Sequence, residues 1–465
     1  MFGIDPAKRR LYVAIWKLAW PIAGANFLSR AASIVDTAMV GRLAATSLAG
    51  MGIAQVPVFI AMAVQRGLGI GGQVLVAFHT GAAEPERRLK VARAVVAICA
   101  LVSIGLGLLL WPLSPWMCEF MGAHGETLNQ ALSYLRIYYI TLVFSGSFFV
   151  LSAVFQGVGD SRTPLIVTLA VNIIHVLISY AAIFGNWGAP KLGVVGAALG
   201  VGISEAIGAI TLAVIACRRG YWSPAIRGLS LRAAKAVWGL GSPTVAERLI
   251  VNTMQGFYYR FLTGFGPAAI AAHRIGIDME AVAFLPALGF GQAATTMVGQ
   301  KLGAKDERGA REAGWTTTWI ATAFMAILGL SFYFFSHQWI ALFTDDPAVR
   351  VLGIKFCTVA AAIQVPLALA IVLAGALRGA GETRWVMFTP ILGGWIVRLP
   401  LSYLFGYTLG FGLMGIWWSM MGDWIVRSVA LGGKFKTLHF RLRDRVRIPP
   451  PTRTTIDADT RDLGS

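Results

Sequence analysis

Apolar residues occupy this chain in long blocks, broken by short segments rich in Arg and Lys. Five of the blocks, 94–118, 137–159, 163–190, 313–344 and 356–377, contain no Asp, Glu, Lys or Arg. About 20 mostly apolar residues make a helix long enough to cross the hydrocarbon core of a bilayer, and each block meets that length. Further blocks of similar length carry isolated charges. The pattern predicts twelve spanning helices, at 12–40, 45–79, 91–112, 130–156, 163–187, 193–217, 235–262, 267–300, 312–336, 348–378, 385–408 and 411–433. The chain thus reads as an all-α integral membrane protein. Lys8, Arg9 and Arg10 ahead of an apolar run imitate a signal peptide. The run is too long for one, and its pattern recurs later in the chain, so it reads as the first span.

The recurrence is general. A displacement of 222 residues places Leu18 and Pro21 on Leu240 and Pro243, Gly69 on Gly291, and Gly81-Ala82 on Gly303-Ala304. It also places Gly157, Gly159, Asp160 and Arg162 on Gly379, Gly381, Glu382 and Arg384. Late in each half the offset becomes 219, pairing Gly193 and Gly196 with Gly412 and Gly415. Each half holds six spans, an even number, so both halves share one orientation and form two pseudo-symmetric six-helix lobes about an axis along the membrane normal. The expected organisation is an N-lobe at 1–217, a cytoplasmic linker at 218–234, a C-lobe at 235–433 and a disordered cytoplasmic tail at 434–465. Transporters built this way bind substrate near the midplane, between the repeats, and rock one repeat against the other. The paired GVGDSR and GAGETR segments predict tight helix-end turns, with glycine at positive φ and the following acid capping the next helix.

Composition removes most other classes. Of 465 residues, 56% are hydrophobic and 13% charged, where an ordinary soluble protein is about a quarter charged; mean hydropathy is +0.67. A soluble enzyme, a secreted disulfide scaffold and a disordered chain are excluded. The net charge of +18 would suggest nucleic acid in a soluble protein. Here 27 basic residues fall in segments on one side of the predicted membrane and three, Arg42, Lys191 and Arg350, on the other. That asymmetry sets the orientation of a multi-pass membrane protein with both termini cytoplasmic, and leaves no nucleic-acid partner to expect. The four cysteines are scattered and show no CxxC spacing, so neither disulfides nor a metal knuckle are expected.

Polar side chains inside the spans are few and patterned. On the first span Asn26, Ser29, Arg30, Ser33, Asp36 and Thr37 share about 120° of the helical wheel. Such a stripe cannot face lipid, where each unsatisfied polar group costs several kcal/mol; it needs a cavity or another polar helix. The seventh span, its repeat partner, carries Glu247, Arg248, Asn252, Gln255, Tyr258 and Tyr259 opposite an apolar face. The fifth adds Asn172, His175 and Ser179, the sixth Glu205, and the eighth His273, Arg274, Asp278 and Glu280. Arg274 and Asp278 are spaced to pair within the helix. Arg66, Arg398 and Asp423 complete the set, with structural ion pairing at least as good a reading for them. Ionisable groups inside a membrane are functional candidates by default. A carboxyl in low dielectric exchanges its proton closer to neutrality than one in water, which suits proton-coupled transport.

These residues resemble the MATE (multidrug and toxic compound extrusion) family, on its bacterial DinF-like side. The resemblance rests on VDTAMVGRL at 35–43, FQGVGDSRTP at 155–164 with LRGAGETR at 377–384, and GAALGVGISE at 196–205. The most specific stretch is AAHRIGIDMEAVAFLPALGFGQAATTMVGQKLGA at 271–304. The family implies twelve helices in two lobes around a central cavity, and efflux of organic, often cationic, compounds in exchange for H⁺ or Na⁺. Family acids fall on Asp36, Glu205, Glu247 and Glu280. At the positions where many relatives carry Asn and Asp on the fifth span, this chain has His175 and Ser179, and 356–377 lacks the acid of some sodium-coupled relatives. Sodium, a hard cation, prefers oxygen ligands; the replacement favours protons.

The expected function is a monomeric secondary antiporter exporting small organic, cationic or amphipathic solutes. Asp36, Glu247, Glu280, Glu205 and His175 are its candidate ion-coupling groups. Asn26, Ser29, Arg30, Ser33, Thr37, Asn172, Ser179, Asn252, Gln255, Tyr258 and Tyr259 are the expected cavity lining, Tyr258 and Tyr259 stacking on flat cations. No cofactor, metal or catalytic residue is expected beyond the coupling H⁺ or Na⁺. The alternatives are a lipid or lipid-linked oligosaccharide flippase, which calls for two more helices and a cation-rich cavity, and a membrane-embedded transferase, whose carboxylate clusters the loops lack.

Overall fold

In a computed structural model, which describes residues 6–224 and 230–438, every described element is helical. Nine helices follow one another as α1 (Pro6–Gly41), α2 (Ala45–Gly81), α3 (Pro85–Phe120), α4 (Gly125–Val158), α5 (Arg162–Phe184), α6 (Val194–Arg218), α7 (Leu231–Thr263), α8 (Pro267–Gly303) and α9 (Glu307–Phe334). A short α10 (Ser336–Ala341) leads to α11 (Pro347–Gly379). The eleventh span is composite: α12 (Thr383–Pro390), a π-helical stretch Ile391–Arg398, α13 (Leu399–Tyr403) and a second π-helical stretch Leu404–Thr408. The chain closes with α14 (Gly412–Lys436). Twelve spans result. Ten meet a criterion of length and apolarity for crossing a membrane; α7 and α14 are long enough but are diluted by Glu247 and Arg248, and by Asp423 and Arg427.

Several helices outrun the predicted spans. α2 and α8 each have 37 residues, or about 55 Å at the α-helical rise, against a hydrocarbon core of about 30 Å. Hydropathy marks only the apolar stretch, whereas the backbone ladder continues into charged ends that water can solvate. For the same reason α14 extends to Lys436, so 434–436, assigned above to the tail, are helical. The rest of the proposed tail from 439, and the linker residues 225–229, lie outside the described residues. The two glycine turns form as expected: Gly159 has φ +102° and Gly381 φ +81°. After the first, Asp160 accepts hydrogen bonds from the Thr163 backbone N–H (3.1 Å) and hydroxyl (2.7 Å), capping the start of α5, and meets Arg219 at 2.5 Å.

The lobes are joined at the end of the bundle that carries the basic loops. Spans one to six pack as one lobe and seven to twelve as the other, and α2 and α8 cross between them. A methyl group placed on Gly81 would collide with the Gln300 carbonyl, and one on Gly303 with the Phe78 carbonyl. These are the same contact displaced by 222 residues. The relation repeats deeper in the bundle. Gly67 lies against Gly241, whose carbonyl would sit 2.8 Å from an added methyl; Gly289 lies against Ala19 at the same 2.8 Å. The backbones thus touch directly along two symmetry-related crossings, α2 on α7 and α8 on α1, a proximity only small residues permit. One apolar cluster runs across both lobes here, including Leu18, Leu68, Val74, Val237, Leu240, Phe290 and Met297. Towards the other end each lobe has a separate cluster, around Tyr134, Leu135 and Leu142 in the N-lobe and around Met279, Phe356 and Trp417 in the C-lobe. A cleft between the lobes follows from that division.

Candidate functional site

Past the glycine crossings, the outward parts of α1, α7 and α8 flank the cleft. Ser29, Ser33 and Thr37 on α1 are exposed, as are Asn252 on α7 and Arg274 on α8. Ser29 and Thr37 return hydroxyl bonds to the carbonyls of Ala25 (3.0 Å) and Ser33 (2.9 Å), which satisfies them without a second helix. Asn252 does the same with Arg248 O at 2.7 Å. Arg30 reaches across the cleft to Asp278 at 2.7 Å, and Arg274 completes the expected intrahelical pair with Asp278 at 3.1 Å. Asn26 Nδ2 and Gln255 Oε1 are buried without partners. Tyr259 sits beside His273, ring centres 5.3 Å apart.

The remaining predicted residues turn into the lobes. In the N-lobe the Asp36 carboxylate faces α5, and Oδ2 lies 2.9 Å from His175 Nε2. The two are close enough for an ion pair but not aligned for a hydrogen bond, and Asp36 Oδ1 is buried with no partner. Both side chains are largely buried, 13% and 9% exposed. Glu205 from α6 accepts a hydrogen bond from Ser145 of α4 and is within electrostatic range of His175 and Arg66. Asn172 Nδ2 and Ser179 Oγ are buried and unpartnered. Ser179 is 0% exposed and packed on Gly200, so it belongs to the lobe interior and not to the cavity wall predicted for it.

The C-lobe corrects two further expectations. Tyr258 does not line the cleft. It is 0% exposed, its hydroxyl donates to Ile416 O at 3.2 Å, and the Arg398 guanidinium already covers its ring at 3.9 Å. No face is left for a substrate cation. Glu247 is not a free carboxylate: Arg378 Nη2 donates to both of its oxygens, at 2.6 and 2.8 Å. Arg378 stands in the last turn of α11, yet its long side chain reaches α7. Glu280 is buried, 7% exposed, and feels the charge of Arg398 without an ion-pair contact. Asp423, 0% exposed, is held by Arg427 one turn on and by Arg398 at 3.8 Å. This group fits where it does because the wide π-helical turn leaves Gly393 and Gly394 facing Asp423 and Arg427. The i,i+4 spacing of Asp423 and Arg427 was a legible signal of that pair.

Two arginines from opposite lobes come within electrostatic range of each other near the apex of the cleft. Arg66 follows the face of α2 that leads to Gly67, and Arg248 lies one turn beyond Val245, the residue against which Gly67 packs. Each feels the other's charge or that of the groups around it: Arg248 that of Arg66, Glu247 and Arg378, and Arg66 that of Glu205. Among the described residues, no cluster of three or more His, Cys, Asp or Glu is placed to hold a metal ion.

Two six-span lobes in parallel repeat, polar groups buried in each and a cleft between them, define a secondary-transporter type of membrane protein. The chain belongs to the MatE family, whose profile matches it twice, at 21–181 and 243–404, starting points that differ by the repeat offset. It is 30% identical over 451 residues to a probable multidrug resistance protein NorM from Thermotoga maritima, covering 93% of this chain and 94% of the relative. To the multidrug resistance protein NorM of Burkholderia vietnamiensis it is 28% identical, covering 92% and 95%. The fold matches the bent form of the Vibrio cholerae MATE transporter VcmN with a TM-score of 0.86 at 19% identity, over 95% of this chain and 99% of that one.

Proposed function

We propose that this protein is a secondary antiporter that exports small organic solutes in exchange for protons. The named activity of the NorM relatives supports the substrate class. The Asp36–His175 pair supports the coupling ion: an acid and an imidazole 2.9 Å apart, with one carboxylate oxygen unpartnered, form a couple that can take up and release one proton. An imidazole is a poor ligand for a hard cation. Protonation neutralises the carboxylate and loosens the tie between α1 and α5; deprotonation restores it. Exchange needs only that proton and solute favour different lobe arrangements. Glu205, near His175, and Glu280, in the other lobe, are secondary candidates. The distribution of basic residues supports an inner-membrane protein with both termini in the cytoplasm and the glycine crossings towards that side.

The test is transport by the full chain in proteoliposomes, with pH and sodium gradients imposed separately, alongside drug resistance in a sensitive bacterium. Asp36→Asn is expected to abolish pH-driven efflux and resistance; His175→Asn is expected to lower efflux and displace its pH profile. Undiminished resistance and pH-driven efflux in Asp36→Asn would sink the assignment of this pair. Efflux driven by sodium alone would replace the proton with the other ion.

A further inference from the structure

The proposed coupling pair leaves the arginines at the cleft apex without a role. Arg66, from α2, makes no hydrogen bond or ion pair among the described residues; its Nε is buried without a partner, and its guanidinium lies 5.6 Å from the Phe149 ring. Arg248, from α7, likewise has no side-chain hydrogen bond or ion pair among the described residues. Both are partly buried and partly open. They stand in the middle of their helices, at positions 22 of 37 and 18 of 33, so water and headgroups at the bundle ends do not solvate them. The carboxylates within electrostatic range are already engaged: Glu247 by Arg378, and Glu205 by Ser145. Three guanidinium groups therefore gather where the lobes diverge, and two of them lack any bonded counter-group.

Like charges at short range repel strongly in a medium of low dielectric, and an intramembrane arginine without a partner is costly. Packing alone does not account for the arrangement, since the symmetry-related place in the bundle does without it. There Leu288 replaces Arg66 and Asn26 replaces Arg248, while Ala19 and Gly289 make the same backbone crossing. The planar five-donor fork of arginine matches an oxyanion and binds it in bidentate fashion.

We propose that Arg66 and Arg248 form a binding site for an oxyanion carried by the transported solute, a carboxylate, sulfonate or phosphate group. This deepens the exporter reading above and rests on it. It makes amphoteric organic compounds, with a cationic and an anionic group, the substrate class. The anionic group sits between the two guanidinium groups at the apex, and the rest of the solute extends along α1 and α7. Because one arginine comes from each lobe, the bound anion also ties the lobes together at this point.

The experiment uses the full chain and two xanthene dyes, one bearing a free carboxylate and the other its methyl ester, which differ in that one anionic charge. Binding is followed by fluorescence anisotropy in detergent. The carboxylate dye is expected to bind about tenfold or more tighter than the ester, the scale of one charge-assisted hydrogen-bonded contact. Arg66→Gln and Arg248→Gln are each expected to erase that preference, the cationic ester binding at least as tightly once a like charge is removed; Arg248→Lys is expected to keep part of it. Retained ester binding shows that the variants are folded. Equal binding of the two dyes by the unmodified protein, or an intact preference in both Gln variants, would overturn the proposal. Nanodiscs of phosphatidylcholine with and without phosphatidylglycerol separate the two sources of an oxyanion. Displacement of the carboxylate dye by phosphatidylglycerol would assign the site to a lipid headgroup and overturn the solute reading. Ester efflux from proteoliposomes reports separately on transport: its presence without a carboxylate preference removes only the anion site, and its absence under every gradient removes the exporter reading.

Discussion

Where α7 carries Arg248, the equivalent position of α1 carries Asn26; where α2 carries Arg66, α8 carries Leu288; and Glu247 and Arg378 answer to Ala25 and Gln156. The α2–α7 and α8–α1 crossings share their backbone geometry, down to glycines that leave room for the same carbonyls. Their polar content differs completely. The lobes diverge in the same way. The N-lobe buries an acid against an imidazole on a neighbouring helix, whereas the C-lobe buries Asp423 between two arginines. Backbone packing is a property of the repeat, and charge is a property of each half. Features found at both positions therefore point to architecture, and a feature found at one has to be explained from that half alone.

The largest effect expected from this contrast is in the C-lobe. Asp423→Asn leaves Arg427 and Arg398 buried without their carboxylate, and breaking a buried pair by removing one partner costs about 3–5 kcal/mol. Thermal unfolding in detergent should show a large loss. Asp36→Asn, which leaves one imidazole behind and not two guanidinium groups, should unfold much closer to the unmodified protein. Equal losses would erase the distinction between a structural pair in one lobe and a working pair in the other. A smaller effect is expected at the shared crossings. Gly81→Val and Gly303→Val each overfill a backbone contact, a change that typically costs about 1–3 kcal/mol, and both should separate the lobes at that end to the same degree. Spin labels at Glu86 and Arg308, exposed and symmetry-related, would read the separation. A response to one substitution only would break the symmetry of the seam.

The smallest effect concerns the loops beside that seam. Asp306 receives the Gly309 N–H at 2.7 Å and the Lys301 ammonium at 3.0 Å, which hold its carboxyl below the usual aspartate range, the backbone bond first. Its repeat counterpart Glu84 is also held below its ordinary value: partial burial acts the other way, and hydrogen bonds from His79 and Arg87 outweigh it. A depressed carboxyl contributes stability above its unfolded pKa and loses it as the pH falls through the lower folded value. Asp306→Asn should therefore destabilise near neutral pH and have no effect in strong acid. With Asp306 42% exposed, solvent screening keeps the difference under about 1 kcal/mol. Paired denaturation series at the two pH extremes would check the sign.

The span count, the repeat and the glycine turns were legible because apolar length and glycine spacing are local properties of the chain. Residue roles within the spans were less so. A helical wheel places Asp36 and Ser33 on one stripe, but whether a side chain meets the cleft or the lobe interior depends on how neighbouring helices are rotated. Tyr258 therefore read as a stacking surface although Arg398, far along the chain, already occupies its ring. Side-chain reach is equally hard to read: Arg378 ends a span and looks like a loop charge, yet it neutralises Glu247. His175 and Asp36 were singled out separately, by the stripe and by departure from the family pattern; only the fold brings them to 2.9 Å.

The glycine seam bears on how fast the lobes can part. Beside the apolar side chains shared by the two lobes, its contacts are between bare backbone surfaces, each atom pair worth about 0.1–0.2 kcal/mol. A few bonds cross it as well, among them Gln73 to Thr296 (3.0 Å), Thr296 to Gln156 O (3.0 Å) and Gln300 to Gly157 O (2.9 Å). Such a joint has no single strong clasp to rupture. It can unzip from one end, each step surrendering a little energy that water entering behind it partly returns. The activation barrier is spread over many small increments, and the joint can stay tight at rest yet open on the timescale of turnover.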